Sequence, residues 1–219
     1  MQFTRPTHGI ARLDAIKFDA KALQKDLDKV LESDWRRRDV GQGWADLMLY
    51  QNGEKHRLFD QCQEIRRAIE SFDAELLDAC LALLEPGGTV KEHRDISGGT
   101  PMGVARFHIP IVTHPDVEFY VNGKRLFLDE GEVWSVDTSY PHRLHNHSDV
   151  ARIHLIVDVK MNDTIRAMLP KLSFREYLHK IYFVGICLWK GLSLVFRPKE
   201  LWQRVRDIFA LIFTGESRL

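Results

Sequence analysis

The sequence predicts a mainly β chain with flanking helices, its strands closed into a sandwich or barrel. Three observations lead there. Short apolar runs of β type crowd the middle of the chain, turn residues separate them, and amphipathic segments of helical period lie on either side. With 44% hydrophobic and 28% charged residues the composition is that of a folded globular chain, and disorder and fibrous repeats are excluded. At 219 residues it is long enough for one good-sized core with an added element.

The first element is a helix over 18–31, where Phe18, Ala22, Leu23, Leu27, Val30 and Leu31 recur at helical spacing and Asp19 stands ready to cap the start. A second helix is expected over 62–72. The strands follow as runs 76–84, 103–113, 117–121, 125–128, 132–137 and 150–159. Pro86-Gly87-Gly88, Asn122-Gly123 and Asp129-Glu130-Gly131 supply turn chemistry between them, and Asn-Gly is a strong hairpin signal. Ser173-Phe174-Arg175-Glu176 reads as a capping box opening a C-terminal helix. Its apolar run from Ile181 to Phe196 is shorter than the roughly twenty residues that span a bilayer. After Pro198 a further helix is expected, with Leu201, Val205, Ile208, Phe209, Ile212 and Phe213 on one stripe. The expected organisation is a barrel with N-terminal helices over 1–160 and a helical extension over 161–219.

Net charge is zero, but residues 160–219 carry eleven Lys and Arg against five Asp and Glu. The C-terminal helices are expected to pack on the barrel or across a homodimer, the alternative being peripheral contact with a membrane. Three cysteines, Cys62, Cys80 and Cys187, form no CxxC pair, which argues against a disulfide framework and a zinc-thiolate site. The N-terminus does not read as a secretory signal, so a cytoplasmic location is expected, or the inner face of a membrane. No glycine-rich phosphate loop opens a helix.

The chemistry concentrates in histidines. Three His-x-Asp triplets occur, at His93-Arg94-Asp95, His114-Pro115-Asp116 and His147-Ser148-Asp149. With ten His and thirty-one acids, roughly one or two would arise by chance, so context must choose. In extended chain, residues i and i+2 share a face, and an imidazole and a carboxylate can meet one ion. A distant His completes a facial triad, which leaves the opposite coordination positions open and suits iron(II). His93 and Asp95 follow a predicted strand and turn, and His142 lies just past another strand. The other triplets sit at a proline turn and in a polar loop. The bland reading of His93 and Asp95 is an exposed polar loop.

Arg152 opens the apolar strand that runs to Val157, where a charge needs a partner. Its planar fork is suited to a carboxylate; the alternative is an internal ion pair with Asp137 or Asp158. Arg106 and His108 share a strand face opposite Ala105, Phe107, Ile109 and Ile111. That face either lines an anion site or meets water.

Taken in order, Pro86-Gly87, His93-Arg94-Asp95, Arg106-Phe107-His108, Gly131-Glu132-Val133-Trp134, His142 and the segment Arg152 to Asp158 resemble the aspartyl/asparaginyl β-hydroxylase family. The resemblance spans roughly 80–160, with further similarity in the N-terminal helix and at Trp44. It implies a double-stranded β-helix (a jelly roll, cupin-like), with iron(II) on His93, Asp95 and His142. It also implies 2-oxoglutarate on Arg152, helped by Arg106 and His108. The implied reaction is oxygen-dependent hydroxylation of an unactivated C–H bond, with 2-oxoglutarate decarboxylated to succinate. Animal protein hydroxylases of this family can lack the carboxylate ligand, and Asp95 is similar to bacterial members acting on amino acids or lipid acyl chains. Expected partners are therefore molecular oxygen and a small-molecule, peptidyl or acyl substrate, without nucleic acid. Two rivals use the same fold: a cupin-like metal enzyme without 2-oxoglutarate, and a non-catalytic ligand-binding barrel.

Overall fold

The computed structural model describes residues 9–39, 41–95 and 99–194. Strand β1 (Ile10–Lys17) leads into helix α1 (Ala20–Asp28), the ribbon β2 (Arg36–Arg37), β3 (Gly41–Gln51) and β4 (Glu54–Lys55), and helix α2 (Gln63–Glu70). The body of the sheet follows as β5 (Leu76–His93), β6 (Val104–Val112), β7 (Val117–Val121), β8 (Lys124–Leu126), β9 (Glu132–Val136), β10 (His142–Asn146) and β11 (Arg152–Lys160). Helices α3 (Asp163–Met168) and α4 (Phe174–Leu194) close the described chain.

Neighbouring strands run β1-β9-β6-β11-β5-β10-β7-β8, with β3 on β5. Every pairing is antiparallel. The sheet curls on itself as a double-stranded β-helix, a jelly roll. Its long strand β5 makes the curl possible. The Pro86-Gly87-Gly88 segment, expected as a turn between strands, is a corner inside β5: residues 76–84 pair with β11, and 89–93 pair with β10. Gly87 takes a left-handed φ of 70° there, and a Cβ on Gly88 would meet the Glu85 carbonyl at 2.8 Å. Both glycines are dictated by the bend.

Strands β6 and β11 are buried on both faces, for different reasons. Their residues Ala105, Phe107, Ile109, Ile111, Ile153, Leu155, Val157 and Val159 face an outer core shared with the two N-terminal helices. Phe107 stacks on Phe72 beside α2 with ring centroids 4.3 Å apart, a pairing that adds about 0.5–1.5 kcal/mol to its burial. The alternate residues point into the roll. Asp19 caps α1 through Lys21 and Ala22, as its sequence position predicts. Buried Asp26 then accepts from the backbone N–H groups of Glu64 and Ile65, capping α2, whose own first residue supplies no cap. The helices thus form one lid on the outer face.

The expected capping box is present, with Ser173 N–H donating to Glu176 at 2.7 Å and Glu176 N–H donating to Ser173 Oγ at 3.3 Å. No helix among the described residues is long and apolar enough to cross a membrane. The helix expected after Pro198 lies outside the described residues.

Candidate metal centre

Antiparallel pairing places the last residue of β5 directly opposite the first of β10, and these are His93 and His142. Their rings stand 4.2 Å apart between centroids. Asp95 lies two residues past His93, anchored by its backbone N–H donating to the Thr138 carbonyl at 3.0 Å. His93, Asp95 and His142 each offer one ligand atom, and these atoms lie within 4.8 Å of one another. Among the described residues this is the one such cluster.

The rings are oriented for it. His93 Nδ1 lies 2.8 Å from the Lys91 carbonyl, and His142 Nδ1 3.1 Å from the Tyr140 carbonyl. A carbonyl only accepts, so each Nδ1 carries the proton and each Nε2 keeps its lone pair for a ligand position. Burial alone would raise the Asp95 carboxyl, but the Arg106 guanidinium, with the Thr138 hydroxyl, outweighs it and holds the group below the usual range. The cluster can therefore offer two neutral imidazoles and one carboxylate.

Arg106 sits beside it. Its strand partner on β11 is Asp158, to which it donates two bonds, Nε to Oδ1 at 2.8 Å and Nη2 to Oδ2 at 2.7 Å. Nη1 donates to Asp95 Oδ2 at 2.5 Å and to Thr138 Oγ1 at 3.3 Å. Asp95 Oδ1 is left on the side of His93, 3.5 Å from its Nε2. The guanidinium joins the cluster to β11.

Arg152 is the opposite case. It is 0% exposed, and neither acid that could have paired with it does so. Asp158 holds Arg106, and Asp137 accepts from Thr100 Oγ1 and Ser139 N–H. Nη2 donates to His154 Nδ1 at 2.7 Å, which leaves the proton of that ring on Nε2. Arg152 Nε and Nη1, His154 Nε2 and both ring nitrogens of His108 are buried without a hydrogen-bond partner. Burial without a counter-charge pushes the Arg152 guanidinium down from 12.5 to about 9. Burial, and then the Arg152 charge, hold His108 and His154 neutral, well below 6.5.

The cluster shares one cavity of about 350 Å³ with Arg106, His108 and Arg152. A buried cation with undirected donors is expensive unless an anion completes it. The polar face of β6, which sequence alone left either in water or in a site, lies in the site. The other two triplets do not join it. Asp116 closes a turn with His114, and His147 stacks on His145 near Glu118. Trp44, Met48 and Gln51 of β3 and Asp78 of β5 form a wall that sequence reasoning missed. Asp158 was legible as a site residue in one respect, since it shares the β11 face of Arg152 and His154.

The aspartyl/asparaginyl β-hydroxylase family model matches residues 11–162. No curated protein matches the chain. Among solved structures, HygX from Streptomyces hygroscopicus, with nickel and 2-oxoglutarate bound, is similar over 72% of this chain and 84% of its own. The identity is 10% and the TM-score 0.51. SnoN, a non-heme α-ketoglutarate-dependent epimerase from nogalamycin biosynthesis, is similar over 70% of this chain and 79% of its own, with 12% identity and a TM-score of 0.52. At such identities the likeness shows the fold alone, a jelly roll. With the family model spanning both halves of the His-Asp-His cluster and Arg152, the chain belongs to the aspartyl/asparaginyl β-hydroxylase family.

Proposed function

We propose that this chain is an iron(II)- and 2-oxoglutarate-dependent dioxygenase that hydroxylates an unactivated C–H bond of an amino acid, a peptidyl residue or a lipid-linked acyl group. One observation carries the reading: a fully buried guanidinium without a carboxylate partner shares a cavity with a His-Asp-His cluster. The donor set, two imidazoles and a carboxylate, fits iron(II) with open positions. The uncompensated Arg152 fits the distal carboxylate of 2-oxoglutarate, because its planar fork can donate from both free nitrogens. When bound, iron and 2-oxoglutarate supply the oxidising chemistry, dividing molecular oxygen between succinate and the hydroxylated product.

The protein's own groups hold and orient. His93, Asp95 and His142 would hold the iron, and the Lys91 and Tyr140 carbonyls keep the two rings turned. Arg106, locked by Asp158, fixes one Asp95 oxygen and directs the other toward His93. Its charge is already matched by Asp158 and Asp95. His108 adds a neutral ring between Arg152 and the cluster. Phe119, Val90 and Leu144 are apolar walls that keep water from the reacting centre.

The test is succinate formation from 2-oxoglutarate by the purified chain. It should require added iron(II) and oxygen and should be lost in Asp95→Ala and in Arg152→Ala. Metal binding without succinate formation in the wild type would point to a metal enzyme that does not use 2-oxoglutarate, and absence of both to a ligand-binding barrel.

A further inference from the structure

Helix α4 has two apolar faces, and the barrel uses one. Phe183 and Val184 are buried. His179 stacks on Tyr140 with centroids 3.6 Å apart, and its Nε2 lies 3.0 Å from Ser139 Oγ. The other face carries Phe174, Leu178, Ile181, Tyr182 and Trp189, spaced so that they follow one stripe along the helix. Phe174, Tyr182 and Trp189 are 75%, 60% and 76% exposed, and Leu172 just before the helix is exposed as well. Single exposed apolar side chains are ordinary, but a continuous stripe of this length marks a surface that meets something.

The charges around the stripe have one sign. Lys171 and Arg175 are exposed. Glu176, the acid of this stretch, is turned inward and accepts from the backbone N–H groups of Gly9 and Ser173. Residues 160–219 as a whole carry eleven basic against five acidic residues, and the sequence from Leu201 to Phe213 sets Arg204, Arg206 and Asp207 off an apolar pattern. A two-fold contact of α4 on α4 would offer Lys171 and Arg175 no acid to pair with, since Glu176 is turned inward. Anionic headgroups would complement them, and Tyr and Trp favour the boundary between headgroups and acyl chains. Because no described helix can cross a bilayer, such a helix would lie in its surface.

We propose that α4 docks in the surface of a bilayer containing anionic lipid, with the stripe from Phe174 to Trp189 facing the acyl chains. The docked face of the same helix rests on Ser139 and Tyr140, in the loop whose Thr138 and Tyr140 carbonyls hold Asp95 and His142. Binding would hold the His-Asp-His cluster one loop away from the lipid surface. The inference rests on the α4 surface and not on the proposed reaction.

Sedimentation of the full chain with vesicles tests it without turnover. We expect the chain to sediment with vesicles of phosphatidylcholine and phosphatidylglycerol, to be released by high salt, and to bind phosphatidylcholine alone far less. The double variant Leu178→Glu, Tyr182→Glu changes exposed positions only. Its affinity for the anionic vesicles should fall roughly tenfold or more, while its thermal unfolding stays that of the wild type. The variant Arg175→Glu should show a smaller loss in the same direction. The proposal is overturned if the wild type ignores anionic vesicles or if the double variant binds them equally. A homodimer in light scattering that the double variant abolishes would also overturn it, since that makes the stripe an interface between copies.

Discussion

Replacing Arg152 with methionine should make the metal-free protein more stable while removing its affinity for 2-oxoglutarate. The guanidinium is fully buried and pushed from 12.5 to about 9 because no acid faces it. At about 1.4 kcal/mol per unit, a fall of about 3.5 units corresponds to roughly 5 kcal/mol of unfavourable energy for the charged form in the fold. The folded value lies below the unfolded one, so the unfolded chain holds the proton more firmly. The penalty is complete below pH 9 and shrinks as pH rises from there toward 12.5. Methionine keeps most of the length and removes the charge. Against this gain stands the lost bond to His154 Nδ1, which leaves an acceptor unpaired at about 1–3 kcal/mol. The net expectation is a gain of about 2–4 kcal/mol, within the range seen when buried ion pairs are replaced by hydrophobic residues. Urea unfolding of the metal-free proteins at pH 7.5 reads the first half. Calorimetric titration of 2-oxoglutarate into nickel-loaded protein reads the second, where loss of a charge-assisted contact of about 1.5–3 kcal/mol weakens binding roughly 10- to 150-fold. A variant that unfolds at lower urea and binds 2-oxoglutarate as the wild type does would show that Arg152 has a structural partner and no anion to hold.

Asp95→Ala should lose most metal affinity in a nickel titration while His114→Ala keeps it; the reverse would move the metal site to another triplet. Asp158→Asn should weaken metal binding roughly tenfold, because Arg106 loses its paired carboxylate and with it the hold on Asp95; unchanged metal affinity in the folded variant would make that pair irrelevant to the cluster. Below pH 6.5 the metal-free protein should lose stability, since the unfolded chain takes up protons that buried His108 and His154 refuse. Each contributes up to about 1.4 kcal/mol per pH unit as pH falls below 6.5, and above it their contribution is complete. His154→Asn, whose carbonyl can still accept from Arg152, should flatten that slope by about half in unfolding midpoints measured between pH 5 and 7.

Much of this architecture is readable from local pattern because local chemistry specifies it. Asp19 announces α1, Ser173 and Glu176 announce α4, and the alternation of β6 separates its apolar face from the face of Arg106 and His108, leaving open what the second face meets. What escapes is pairing. β3, absent from the strands expected of the sequence, follows β5 for most of its length. The Pro86 corner reads as a turn because proline and glycine serve bends and chain reversals alike. In the site, His93 and Asp95 are legible from i, i+2 spacing, and Arg152 from a charge opening an apolar strand. That Arg106 belongs to Asp158 depends on cross-strand register, which no single strand contains. The orphaned nitrogens of Arg152 and His108 depend on burial, which only the closed roll supplies.

His93, Asp95, His142 and Arg152 are proposed to serve together in oxygen chemistry on 2-oxoglutarate. Mass spectrometry of succinate formed under labelled dioxygen tests this most directly, using the purified chain with iron(II) and 2-oxoglutarate. The succinate should carry a single oxygen from dioxygen, and Asp95→Ala should form none. Succinate without label, or equal succinate from Asp95→Ala, would contradict the proposal.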